Sequence, residues 1–412
     1  NKKFANKPLY QEVVKRFAAY VGTSFQKGVT ASGRPVEVYA LFGGQWPHSS
    51  YMVPGGVMCA PTLKDITRAY AIMNQFRNDW LEPVWLGCSI ERYLQVKSWD
   101  DLMAWVDEND SQRNSDLGLF IRASLEFGLD TFGQGVGKYL AYGTYLHKDK
   151  YNNPTIEGRN EALISAGGFH DGENYHALDH MQIAEHVQHT WFEDHAPAHP
   201  WEEPIPTPVT NSTILTETDF DGKYSWSKSP RYMTHAAEAG PLARVIMASN
   251  PGNLDHQNRD PLFGDIMKEK GPSVFTRALA RMHEAPRIYE YINEWLGQID
   301  LDGEFYIKPE ERDGKGWGAT EAARGALAHW IEIKNGVIEN YQVVAPTTWN
   351  VGPVDNEGQP GPIEAALEGT EIEDAHDPVE VGMVARSFDS CLVCTVHAHD
   401  AKDNKELARF KL

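Results

Sequence analysis

Between Thr62 and Trp80, the residues Ile66, Ala69, Tyr70, Met73, Phe76 and Trp80 recur at three- and four-residue spacing. That spacing gathers them on one broad stripe of an α-helix, which is stable in water only when the stripe is buried against a core. Thr62 and Asp65 are placed as a capping box, so the pattern predicts a helix over 61–82. A second helical pattern covers 272–296 and opens at Pro272, while Pro286 inside it must kink the helix or divide it. The strand signal is late: Ile331-Glu-Ile-Lys-Asn335-Gly336-Val-Ile338 alternates around an Asn-Gly pair suited to a type I′ hairpin. These elements imply a mainly α chain with a small β portion (α+β).

Five prolines between Ala196 and Pro208, and repeated Gly and Pro from Asn350 to Pro362, predict loops. Apolar patterning resumes on both sides of the first loop without a shift in composition, so the chain reads as one mostly helical domain.

Charge and cysteine content narrow the function. With 58 acidic against 38 basic residues the net charge is −20, which would repel a phosphate backbone. No apolar run approaches the roughly 20 residues of a membrane span, and residues from Asn1 to Lys7 lead into an amphipathic pattern rather than a signal peptide. Four cysteines, Cys59, Cys88, Cys391 and Cys394, are too few for a secreted disulfide scaffold and suggest a reducing, cytoplasmic setting.

Cys391 and Cys394 stand three positions apart in Arg386-Ser-Phe-Asp389-Ser390-Cys391-Leu-Val-Cys394-Thr-Val-His397. Two thiols so spaced can point the same way from one turn and grip a soft metal. Spacing alone equally allows a structural zinc site made with His397 and His399, or a redox dithiol.

The residues around the pair favour another reading. The segment resembles the C-terminal signature of nickel-iron hydrogenase large subunits, in which Asp-x-Cys-x-x-Cys is followed three positions on by His. Other blocks resemble the family in the same order: Leu41–His48, Lys223–Tyr232, Glu238–Arg244, Glu321–Leu327, Tyr341–Asn350, and Gly352-Pro353 with Gly361–Glu364. Trp46-Pro-His48-Ser-Ser and Ser390 look nearest to its uptake and sensory branch.

The resemblance implies the family's large-subunit fold and the reversible heterolytic cleavage of dihydrogen, in the uptake direction, by a nickel-iron centre carrying carbon monoxide and cyanide. It implies Cys391 as a terminal nickel ligand and proton acceptor, and Cys394 as the bridge to iron. Pro346 and Thr347 match the loop beside the diatomic ligands, and Thr347 and Arg324 match donors to cyanide nitrogen. Arg324, over the open metal position, is partnered by Asp389; its permanent charge favours an electrostatic role over that of a base. His397 and the carbonyl of Val343 match ligands of a buried Mg2+ (or Fe2+) ion.

Partners follow by the same resemblance: a small subunit carrying iron-sulfur clusters, maturation proteins including a C-terminal endopeptidase, and membrane association only through such partners. Two departures stand out. The family's N-terminal Cys-x-x-Cys is missing, so 1–397 reads as a large-subunit domain without its N-terminal segment. Residues 398–412 follow the motif histidine and read as an extension removed on maturation. The rivals are a hydrogen-sensing regulatory subunit and a metal-free structural relative in a respiratory complex.

Seven histidines crowd residues 170–199, and His176 with His180 at helical spacing beside Asp179 could hold a metal. Packed or exposed histidines are commoner than ligands, so no site is assigned there. His48 receives no catalytic role, and the twelve tryptophans would suit either an interface or a core of this size.

Overall fold

The computed structural model describes residues 3–144, 165–209, 222–250, 260–310 and 312–390, and the backbone of 395–399 and 406–411. Helices outweigh strands, as the periodicity predicts. The chain forms two compact units, one of Asn1–Gly128 with Met282–Glu311, the other of Leu129–Arg281 with Arg312–Leu412. None of these boundaries falls in the Pro-rich stretch, which pairs only by isolated bridges to Glu185 and Phe192.

The first unit is helical. Helix Leu63–Phe76 starts with the expected capping box: the Thr62 N–H donates to Asp65 at 2.8 Å and the Asp65 N–H to Thr62 Oγ1 at 3.3 Å. Ile66 and Ala69 pack with Leu296, Val38, Leu41 and Ile292. The helix was expected to run on regularly to residue 82, but from Arg77 to Leu86 it widens into a π-helix. Pro83 lies in this stretch and has no N–H for the α pattern, and the Gly87 N–H bonds the Glu82 carbonyl at 2.7 Å across the wider turn.

The second unit holds the two largest sheets. One runs in the order Tyr175–His176, Ser165–His170, Tyr139–Thr144, Glu238–Ala239. Its last strand pairs in parallel, Tyr139 opposite Glu238 and Leu140 opposite Ala239. The other is an antiparallel meander of Gly314–Ala322, Gly325–Lys334 and Val337–Val344. Its second turn is the predicted hairpin, with Asn335 and Gly336 at φ 53° and 74° as a type I′ turn requires. Leu140, Tyr142, Phe169, Trp330 and Trp349 form the core of this unit. All eight residues of helix Pro241–Ala248 are buried.

Helix Val274–Gln298 is continuous through Pro286, so the proline does not divide it. Among the described residues no helix is long and apolar enough to cross a membrane.

Arg231, at 0% exposure, donates to Asp355 at 2.6 Å and to the carbonyls of Pro230, Pro353 and Gln359 at 3.0, 3.3 and 2.8 Å. It thereby fixes the 352–361 loop. Arg231→Met should cost about 3–5 kcal/mol, because Asp355 is left charged and buried. A denaturant midpoint unchanged from wild type would contradict this.

Candidate active site

Strand Glu238–Ala239 and Gly240 after it form the floor on which the expected site residues are assembled. Arg277 grips Glu238 with two bonds, Nε to Oε1 at 2.8 Å and Nη2 to Oε2 at 2.9 Å. The Asn350 amide clasps Ala239 from both sides, accepting from its N–H at 3.0 Å and donating to its carbonyl at 2.8 Å. Asn350 belongs to the short helix Pro346–Val351, with Pro346 in its first turn. Pro346 and Thr347 are thereby carried to this strand.

Arg324 reaches the same floor from the meander, in the tight turn between Ala322 and Gly325, which face each other in the ladder. Gly325 has φ +124°, and a Cβ there would lie 2.5 Å from the Gly240 nitrogen. Only glycine permits so close an approach. On the other side Arg244, 5% exposed, donates to Glu321 at 3.0 Å and to the carbonyls of Ala322 and Ala323 at 2.9 and 3.1 Å. The second Glu321 oxygen accepts from the Tyr142 N–H at 2.7 Å.

The structure brings Arg324 and Asp389 together: Nη2 lies 3.4 Å from Oδ1. Asp389 follows helix Val379–Ser387 and takes φ +53°, a left-handed conformation that Asp tolerates better than most residues. Arg281 flanks its other oxygen at 3.6 Å and faces the Ser387 carbonyl at 3.4 Å. Among the described residues, Arg324 Nε and Ser390 Oγ are buried here without a hydrogen-bond partner. Buried donors without an acceptor are costly unless a bound group accepts from them. They therefore fit a centre that presents acceptor atoms.

Cys391 and Cys394 lie outside the described residues. His397 is described by its backbone alone, in strand Thr395–His399, where it pairs with Arg409 of Glu406–Lys411. Val343 lies on edge strand Val337–Val344 of the meander, opposite His329.

Beside Val343 the structure reveals an interior charge cluster to which no role had been assigned. Lys228 Nζ lies 2.6 Å from Glu203, 3.3 Å from Glu185 and 3.3 Å from Gln342 Oε1. Burial, only partly offset by Lys228, pushes the Glu185 carboxyl upward. Arg244, Asn350 and Arg277 likewise had no role from sequence. For Arg244 the residues themselves carried a signal, charge at the ends of an apolar run, since Glu238 and Arg244 bracket Ala-Gly-Pro-Leu-Ala.

The histidine-rich stretch forms no helix face. His176 is in a strand and pairs with Asp171 at 2.6 Å, while His180 is in a 3₁₀ turn. Among the described residues no group of three or more His, Cys, Asp or Glu side chains is arranged to hold a metal.

The sequence pattern of the nickel-dependent hydrogenase family matches residues 27–397. The chain belongs to that family. It is 32% identical to the uptake hydrogenase large subunit of Bradyrhizobium diazoefficiens, over 92% of this chain and 64% of that one. It is 31% identical to the periplasmic [NiFeSe] hydrogenase large subunit of Desulfomicrobium baculatum, over 90% and 64%. The chain thus spans less than two thirds of the length of these relatives. The crystal structure of a reduced, active form of the Ni-Fe-Se hydrogenase from Desulfomicrobium baculatum matches with a TM-score of 0.71 and 28% identity, over 90% of this chain and 68% of that one. The large-subunit fold expected from the motifs is therefore the fold observed.

His180 gives a pH test of this unit. Trp201, Trp317 and Trp330 surround its ring, and burial holds its pKa down at about 4. The unfolded chain takes this proton near the ordinary value of about 6.5. Between the two values the unfolded state binds more protons, so stability is complete above about pH 6.5 and lost as pH falls toward 4. Wild type should lose more denaturant stability than His180→Gln across that window; equal losses would contradict the assignment.

Proposed function

We propose that the chain is the catalytic large subunit of a nickel-iron hydrogenase, cleaving dihydrogen to protons and electrons in the uptake direction. The observation that carries this reading is the Arg324–Asp389 pair, with Arg324 Nε buried and unpartnered, immediately before the Cys391-x-x-Cys394 motif. Relatives named as uptake hydrogenase large subunits support the direction.

Cys391 and Cys394 would hold a nickel-iron centre with carbon monoxide and cyanide, which when bound supplies the soft, electron-rich metal that heterolytic cleavage requires. This chain's own residues do the rest. The Cys391 thiolate would accept the proton, and Cys394 would be the second thiolate holding the centre. Arg324 and Thr347, with Pro346 beside them, offer donors to cyanide nitrogen and replace the water it loses on burial. The Arg324 guanidinium stays protonated and acts by its field, while Asp389 holds it in place. The Val343 carbonyl and His397 would hold the Mg2+ or Fe2+ ion.

Four thiolates complete such a centre, so the second pair comes from another stretch of polypeptide. Cys59 is exposed, and Cys88 is half-buried: burial pushes its thiol up, which the Trp105 N–H donating to it at 3.3 Å only partly offsets. Neither resembles a cluster ligand. The electrons leave through a small subunit carrying iron-sulfur clusters.

The complex should contain nickel and iron in equal amounts and show infrared bands of metal-bound carbon monoxide and cyanide. Zinc as its sole metal would overturn the reading.

We also propose that 398–412 is a tail removed by a C-terminal endopeptidase once the metal is in place. Cutting after His397 removes Glu406–Lys411, the strand paired with Thr395–His399, and so frees His397 to reach its ion. The intact mass of active enzyme should end at His397; active enzyme that retains Leu412 contradicts the cleavage.

A further inference from the structure

We propose that Arg244 is a positioning residue for the Arg324 guanidinium, an inference that rests on the reading of Arg324 given above. Arg324 makes its ion pair to Asp389 at the long distance of 3.4 Å, with both side chains about a third exposed, at 36% and 35%. A contact of that kind holds a four-torsion side chain weakly. The aim of the guanidinium therefore depends on the backbone from which it springs.

That backbone is fixed from two sides. Gly240 stands against Gly325, so the turn cannot move inward. Arg244 holds the carbonyls of Ala322 and Ala323, the two residues before Arg324, so the turn cannot swing outward. Arg244 is itself fixed, because it lies in a fully buried helix and its charge is matched by Glu321, which the Tyr142 N–H holds.

One planar guanidinium reaches a carboxylate and two carbonyls at once. A lysine ammonium has three donors around a single nitrogen and cannot span the same three acceptors in that plane. Loss of the span lets the turn shift, and a shift of about 1 Å at a positioned group costs on the order of 100-fold in rate.

The experiment compares Arg244→Lys, Glu321→Gln, Arg324→Lys and the double variant Arg244→Lys/Arg324→Lys in the full-length, metal-loaded complex. Arg244→Lys should keep the nickel and iron content and the KM for dihydrogen, lose about 100-fold in turnover, and shift the cyanide infrared bands in the direction seen for Arg324→Lys. The double variant should be no worse than Arg324→Lys, because both act through one group. Glu321→Gln leaves both carbonyl acceptors of Arg244 in place and should lose less turnover than Arg244→Lys.

Arg244→Lys with unchanged turnover and bands, or additive losses in the double variant, would overturn the inference. So would a Glu321→Gln loss as deep as that of Arg244→Lys. An Arg324→Lys enzyme with unchanged turnover instead rejects the reading of Arg324 itself. Where Arg244→Lys takes up no metal, amide hydrogen exchange of the metal-free full chain decides. Faster exchange confined to residues 322–325 supports the clamp, and unchanged exchange there overturns it.

Discussion

The bidentate grip of Arg277 on Glu238 is the interaction on which the candidate site depends. It anchors a strand of only two residues that is paired along one edge, and such a strand has little ladder to hold it. Arg277 also donates to the carbonyls of Gly133 and Gln134 and lies 3.9 Å over the Phe388 ring, one residue before Asp389. The Arg324 turn rests on the next residues of that strand through Gly325, and the Thr347 helix through Asn350. Three segments far apart in sequence thus share one reference point.

The same device recurs. Arg231 with Asp355, Arg244 with Glu321 and Arg277 with Glu238 are all buried pairs. Each arginine also ties down backbone carbonyls of a neighbouring loop. Buried pairs contribute little net stability once desolvation is counted, and hydrophobic replacements are often as stable. What they add here is geometric: five donors in a fixed plane hold loop backbone that no sheet or helix would order. Exposed pairs such as Arg34 with Glu37 do nothing comparable.

How much of this the sequence revealed follows from the range of the forces involved. The Thr62–Asp65 cap and the Asn335-Gly336 turn are set by neighbours a few residues away, and both were legible. The helix through Pro286 was expected to kink or divide and is not divided, because one missing N–H does not stop a helix that is packed on both sides of it. The π-helix after Phe76 was not foreseen, since periodicity marks where apolar residues fall and not how wide the turn is. Arg324 and Asp389 were found through motif resemblance. Arg244, Asn350 and Arg277 act across 77, 111 and 39 positions of sequence, so their partners were not legible even though Arg244 and Asn350 lie in blocks that resemble the family.

Asp389 shows why the motif carries aspartate at this point. The chain bends after helix Val379–Ser387, and the backbone does so by entering the left-handed region at residue 389. Glycine would accept that turn but supply no charge. Glutamate would supply charge, but its longer side chain lacks the local backbone hydrogen bonding that lets aspartate and asparagine occupy this conformation. Asparagine would accept the turn and leave Arg324 and Arg281 facing each other across a neutral group. Aspartate alone meets both demands, so the residue at which the chain bends also supplies the carboxylate that faces the guanidinium proposed to work beside it.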